Sequence, residues 1–138
     1  MEFNYSYKNI NYFVKKIIPF LKNKLILIEG DLGAGKTTLI KEFCKELGCN
    51  NPVTSPTFPI LNIYNVDKKK IYHADLYRIN TFNEFKELGF YEMMEKDDWF
   101  FIEWPELLYN LIDISYTKIK IKYVDNNKRI VNLSFHEF

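Results

Sequence analysis

Arginine is nearly missing from this chain. Only Arg78 and Arg129 occur, although Lys and Arg together number 19. Enzymes that pass a phosphoryl group to a small acceptor clamp it with cationic side chains, commonly several arginines. Two arginines, with no segment that reads as a lid, disfavour that class. An excess of charge of one sign is missing too, and the formal net charge is +1. No strong field draws the protein to nucleic acid or to an anionic membrane. Cysteine is limited to Cys44 and Cys49, with no further Cys or His at metal-ligand spacing. A reduced, cytoplasmic setting is the simplest reading, with Cys44 facing a core. Long apolar runs are absent as well. Leu25–Ile28 and Trp99–Ile102 are far too short to cross a bilayer, and the first residues lack the pattern of a secretory leader. No repeat, low-complexity tract or linker divides the 138 residues, which are expected to form a single domain, 1–138.

Glycine is also scarce, with five residues, yet three of them fall in Gly30–Thr37, "GDLGAGKT". This stretch fits G-x-x-x-x-G-K-[ST] in full. Each residue type has a task. Glycines let the backbone turn with positive φ and approach oxygen atoms closely. Successive N–H groups then converge on one concavity that suits phosphate, and the dipole of a following helix adds to the attraction. The lysine supplies a point charge and the threonine a hydroxyl for Mg²⁺. The context fits. "KLILIEG" before the loop is a short continuous apolar run, as in a strand buried on both faces. "TTLIKEFCKELG" after it carries Leu39, Ile40, Phe43, Cys44 and Leu47 at helical spacing, with Gly48 as a stop.

The rest of the chain predicts an α/β sandwich of the P-loop NTPase type, with a mixed, largely parallel central sheet and a C-terminal antiparallel hairpin. A helix is expected over Lys8 to Phe20, capped by Ser6 and ended early or bent by Pro19. "FPILNIY" and "KIYHADLY" read as two strands joined by a turn. Thr81 and Glu84 form a capping box for a short helix that stops at Gly89. "DDWFFIEW" is a second buried strand, and a short helix follows around Glu106–Leu111. "YTKIKIKYV" and "RIVNLSF" alternate at period two, as in a hairpin with one solvated face.

A phosphate loop needs a carboxylate near the metal, usually at the end of a neighbouring buried strand. Glu103 at the end of "WFFIE" stands there. Asp75, ending "IYHAD", is either a second metal-side or water-side carboxylate or a turn aspartate. His73 shares its sheet face, with packing as its ordinary role. Thr57, between Pro56 and Pro59, sits in a stiffened loop that could sense a terminal phosphate. Trp104 reads equally as core, base-stacking surface or partner contact. No Asn-Lys-x-Asp stretch is present to read guanine.

Five motifs, "GDLGAGKTTL", "SPTF", "YHADLYRI", "ELGF" and "FIEWPE", stand here in the order and spacing of a known family. Over nearly the whole chain the sequence resembles the bacterial TsaE family, small P-loop ATPases of tRNA threonylcarbamoyladenosine synthesis. The resemblance implies that the chain binds ATP and Mg²⁺ and hydrolyses ATP slowly alone. It implies action with the threonylcarbamoyl transferase subunit (TsaD) and its partner (TsaB), and contact with tRNA only through that complex. It places Gly33, Ala34, Gly35, Lys36, Thr37 and Thr38 on the nucleotide. It places Thr37 and Glu103 on the metal, and Glu103, Asp75 and Thr57 in catalysis. In similar proteins residues near the start of the first helix approach the nucleotide, which makes Ser6 and Asn9 candidates here. Pro59 departs from the small polar residue common in similar proteins. Against this stand two other readings, a nucleotide-dependent binding module without useful hydrolysis and a small-molecule kinase.

Overall fold

The computed structural model describes residues 1–50, 53 and 60–138. Four of the elements build the loop region. Strand β2 (Leu25–Glu29) leads into the glycine-rich loop, and helix α2 (Lys36–Glu46) leaves it. Strand β5 (Trp99–Glu103) lies parallel to β2, and strand β4 (Lys69–Asp75) lies parallel to β5. Their apolar runs pack on both faces: Ile26, Leu27, Ile28, Phe101 and Ile102 are all fully buried. That double burial is the reason these strands are continuous rather than alternating.

The described residues form one sheet of seven strands, completed by β1 (Glu2–Ser6), β3 (Leu61–Val66), β6 (Tyr116–Tyr123) and β7 (Lys128–His136). The order is β1-β7-β6-β2-β5-β4-β3. The sheet is mixed, but not largely parallel as expected: β2–β5, β2–β6 and β4–β5 are parallel, while β1–β7, β6–β7 and β3–β4 are antiparallel. The extra antiparallel pairing comes from β1, which the sequence reading did not foresee. "EFNYS" is too short to show a period by itself, and it becomes a strand because β7 offers it a ladder.

Helix α1 (Ile10–Ile17) and α2 cover one face, and α3 (Phe82–Glu87) with α4 (Phe90–Met94) pack on the other. Single-turn 3₁₀ segments, Tyr7–Asn9 and Ile18–Phe20, flank α1, so the regular helix is shorter than expected and Pro19 lies beyond its end. Ser6 does not cap it; Ser6 is the last residue of β1 and makes no capping hydrogen bond. Thr81 does cap α3, accepting from the Glu84 N–H at 3.2 Å. Gly89 follows in the left-handed region, φ +81°. Helix α4 after it went unforeseen, and the expected helix after Pro105 is a 3₁₀ turn over Glu106–Leu108. The terminal hairpin buries Ile119, Ile121, Val131 and Leu133 and leaves Lys120 and Lys122 exposed, as its alternation predicts. Cys44 is fully buried, its thiol pushed up to about 12 by burial, so it behaves as a core residue.

The α2–sheet contact is anchored by Phe43, whose ring centroid lies 5.4 Å from that of Phe101. Phe43→Ala leaves a cavity under the loop-bearing helix and should cost about 3–5 kcal/mol. Urea unfolding of the variant beside the parent measures this, and a loss below about 1 kcal/mol would contradict the packing described.

Candidate functional site

The parallel strands β2, β4 and β5 all end at one edge of the sheet, and ligands of open α/β sheets bind outside that edge. The glycine-rich loop crosses it. Gly33 has φ +79° and Gly35 φ +103°, conformations that cost an L side chain dearly. A Cβ on Gly33 would meet nothing within 4 Å, so this part of the loop opens to solvent. Gly35 is different. A Cβ there would stand 3.2 Å from the Tyr7 hydroxyl and 3.4 Å from Arg129 Nε, so these two side chains close in behind the loop, and the positive φ favours glycine. Gly35 also precedes α2, so the helix N-terminus points at the loop.

Lys36 is 5 % exposed. Its Nζ donates to the carbonyls of Gly30 at 2.5 Å and Asp31 at 3.0 Å. Burial lowers its pKa, while the charges of Glu103, Asp75, Glu106 and Asp31 oppose that shift. Nζ also lies 4.0 Å from the centroid of the Trp104 ring, a cation–π contact. Trp104 itself has φ +56°, and its ring packs on Tyr77 with centroids 4.9 Å apart. A left-handed tryptophan costs about 1–3 kcal/mol and persists only where its surroundings fix it. Here the fixed tryptophan roofs the loop lysine, a contact that none of the three readings of its role had named.

The Thr37 hydroxyl donates to Glu103, 3.0 Å to Oε1 and 3.2 Å to Oε2. Glu103 is 3 % exposed, and its Oε2 also lies 2.7 Å from His73 Nε2. An ionised carboxylate only accepts, so Nε2 carries the proton of this bond. His73 Nδ1 has no hydrogen-bond partner among the described residues. His73 is therefore more than packing: it is fully buried beside Phe101 and holds the strand-end carboxylate. Asp75 pairs with Glu103 in the β4–β5 register. Its Oδ1 accepts from the Tyr77 N–H at 2.9 Å, so the turn reading of Asp75 holds. It also faces the same cavity. Burial raises its pKa; the Tyr77 hydrogen bond lowers it, and the Glu103 charge raises it further.

A cavity of about 270 Å³ brings together Gly33, Gly35, Lys36, Thr37, Thr38, Asp75, Glu103 and Trp104. Ala34 lines instead a neighbouring cavity of about 790 Å³, with Gly30–Gly33 and Lys120–Tyr123. Thr57 and the rest of "SPTF" lie outside the described residues. Ser6 and Asn9 line a separate hollow, whereas Tyr7 between them lines the 270 Å³ cavity. Arg78 is exposed. Arg129, which no motif marks, is 3 % exposed and donates from Nε to the Ala34 carbonyl at 2.6 Å. A cavity of about 510 Å³ near Asp67–Ile71 sits at the opposite edge of the sheet and has no part in this cluster.

The donor set fits a magnesium–phosphate group. A hydroxyl and a carboxylate are hard oxygen donors, and Mg²⁺ usually takes one or two protein oxygens, with water and phosphate completing its shell. No cluster of three or more His, Cys, Asp or Glu that could hold a metal by itself occurs among the described residues. Nor is any described helix long and apolar enough to cross a membrane.

Strand, glycine-rich loop and helix, with a carboxylate at the end of the adjacent parallel strand, stand at one edge of an α/β protein with a seven-stranded mixed sheet. The sequence profile of the family "Threonylcarbamoyl adenosine biosynthesis protein TsaE" matches residues 5–131. The tRNA threonylcarbamoyladenosine biosynthesis protein TsaE of Rickettsia prowazekii is 40% identical over 138 residues, covering 96% of this chain and 93% of the relative. That of Borreliella burgdorferi is 35% identical over 113 residues, covering 81% and 82%. A solved chain described as "Crystal structure of Bacillus subtilus YdiB" superposes with TM-score 0.70 at 25% identity, over 95% of this chain and 82% of that one. The chain belongs to the TsaE family of tRNA threonylcarbamoyladenosine biosynthesis proteins.

Two expectations follow from the charges at the strand ends. The folded Asp75 carboxyl holds its proton more tightly than the unfolded one, so this group disfavours folding increasingly as pH rises through its folded pKa. Asp75→Asn keeps an oxygen for the Tyr77 N–H. Its Tm should exceed the parent's at neutral pH, with the gain vanishing below about pH 4; a gain that grows on acidification would reverse the assignment. His73→Leu leaves Glu103 one donor short in a buried setting and should cost about 1–3 kcal/mol at neutral pH. His73→Gln, which can offer an N–H, should lose less. Equal stability of the two by urea unfolding would show that His73 only packs.

Proposed function

We infer that this chain is a Mg²⁺-dependent ATPase, slow alone, that serves threonylcarbamoyladenosine formation on tRNA together with the threonylcarbamoyl transferase subunit (TsaD) and its partner (TsaB). The observation that carries the reading is the Thr37–Glu103 hydrogen bond at the start of α2, with Lys36 beside it. In this reading Lys36 leaves the carbonyls of Gly30 and Asp31 and takes the β- and γ-phosphate oxygens instead. The loop amides from Gly33 to Thr38 line the phosphates. Thr37 and Glu103 would hold Mg²⁺ from the protein side, and when bound it would supply charge neutralisation to the phosphates. The larger cavity beside Leu32 and Tyr123 gives room for the nucleoside.

Hydrolysis needs a water oriented on the γ-phosphorus. Its oxygen forms the new P–O bond while the bond to the β–γ bridging oxygen breaks, and ADP and phosphate leave. Glu103, fixed by His73, and Asp75 are the carboxylates positioned to orient that water and take up its proton. Thr57 joins them as the residue that senses the terminal phosphate. The transfer chemistry stays with the partner enzyme, and tRNA is met only in the complex. The near-zero net charge agrees with a protein that does not grip tRNA unaided. A small-molecule kinase gains nothing from the arginines, because Arg129 is bonded to the loop backbone and Arg78 lies exposed.

ATP turnover, alone and with the transferase pair, tests this directly. Turnover should rise with the pair, fall at least about a hundredfold in Glu103→Gln with Mg·ATP binding kept, and disappear with binding in Lys36→Ala. Tight binding with no turnover in the presence of partners would leave a nucleotide-dependent binding module instead.

A further inference from the structure

Arg129 is the one buried arginine among the described residues, and its bonds are unusual for a charge. No carboxylate forms an ion pair with it among those residues. Its guanidinium is instead spread over carbonyls and a hydroxyl. Nε donates to the Ala34 carbonyl at 2.6 Å. Nη1 donates to the carbonyls of Asp125 at 2.6 Å and Lys128 at 3.0 Å. Nη2 donates to the Tyr7 hydroxyl at 2.8 Å. The guanidinium also lies over two rings, with Cζ 4.7 Å from the centroids of both Tyr7 and Tyr123. The N-terminal segment is tied into the same knot, since the Tyr7 N–H donates to the Asn127 carbonyl at 2.9 Å. A buried cation left without a counter-charge is costly unless its donors are used. The hairpin turn, the N-terminal segment and the glycine-rich loop together use four of its five N–H donors.

The contact with Ala34 has a consequence for the loop. In a planar trans peptide the C=O of residue 34 and the N–H of residue 35 point in opposite directions. Pinning the Ala34 carbonyl on Arg129 therefore turns the Gly35 N–H the other way. Gly35 lines the 270 Å³ cavity, and Arg129 does not. The cation behind the carbonyl also polarises that peptide, which strengthens its N–H as a donor. We propose that Arg129 is a positioning residue for phosphate binding, acting from behind the loop through the Ala34–Gly35 peptide and coupling loop shape to Tyr7 and the terminal hairpin. This rests on the nucleotide reading above.

The test uses the full chain with Arg129→Lys, Arg129→Gln and Tyr7→Phe. Three quantities are read for each: Tm without nucleotide, the Mg·ATP dissociation constant by calorimetry, and the Gly35 amide resonance in a ¹⁵N–¹H spectrum of the nucleotide-free protein. A lysine keeps the charge but cannot span Ala34, Tyr7 and Asp125 at once. Folded Arg129→Lys should bind Mg·ATP about tenfold to a hundredfold more weakly, with the Gly35 proton moved upfield. Tyr7→Phe, which removes one arm, should lose about twofold to fivefold. Should Arg129→Gln fail to fold, Arg129→Lys and Tyr7→Phe still decide. Parental affinity with an unmoved Gly35 resonance in folded Arg129→Lys would overturn the proposal. So would a loss of affinity that disappears once measured well below each variant's Tm. A parent chain that binds no nucleotide would instead sink the nucleotide reading, and the proposal that rests on it.

Discussion

The parallel ladder between β2 and β5 fixes everything at the mouth of this sheet. Its register sets Ile28 beside Glu103, and the continued pairing of β5 with β4 sets Glu103 beside Asp75. Because side chains alternate along a strand, His73, Asp75, Phe101 and Glu103 share the face on which α2 packs. The first turn of α2 then meets Glu103 through Thr37. A slip of one residue would turn Glu103 to the opposite face and set Trp104 in its place. The register is protected by burial: Ile26, Leu27, Phe101 and Ile102 admit no other arrangement without exposing core.

The site is an assembly of groups that the fold stabilises poorly one by one. Lys36 and Glu103 are both nearly buried, the Asp75 carboxyl has a raised pKa, and Trp104 and Gly35 sit at positive φ. Burial of charge is tolerated only with partners. Glu103 finds them in Thr37 and His73, Lys36 in loop carbonyls and the Trp104 ring, and Arg129 in carbonyls and Tyr7. Apart from the loop carbonyls on Lys36 and the Lys128 carbonyl on Arg129, each of these partners comes from a different element than the residue it serves. Stability and function are therefore drawn from the same bonds. Lys36 is held in place by the carbonyls of Gly30 and Asp31, so a phosphate bound under the proposed reading would have to replace these internal hydrogen bonds.

Membership of the TsaE family and the geometry meet at these residues. The family's motifs are spread over loops and strand ends that are far apart in the chain, and the sheet gathers most of them at one edge. "FIEWPE" supplies both the carboxylate and the ring over the lysine. "YHADLYRI" supplies the histidine behind that carboxylate, the turn aspartate and the tyrosine against the ring. The antiparallel strands β6, β7 and β1 look peripheral in the topology, yet β7 carries the arginine that braces the loop.

The sequence by itself determined the local elements of the site. A glycine-rich loop between a buried strand and an amphipathic helix, a carboxylate ending a second apolar strand, and a capping box at Thr81 are all written in spacing that short-range physics reads directly. Three things were decided only by tertiary structure. Strand β1 exists because β7 pairs with it, and five residues carry too little period to announce that. His73 reads as an ordinary buried residue until the parallel register brings Nε2 within 2.7 Å of Glu103. Arg129 lies 95 positions from Ala34 and belongs to no motif, so only hairpin closure and the pairing of β1 with β7 bring it under the loop. Local pattern is set by contacts a few residues apart, whereas these bonds close long segments of chain, and their partners are chosen by the packing of the whole sheet.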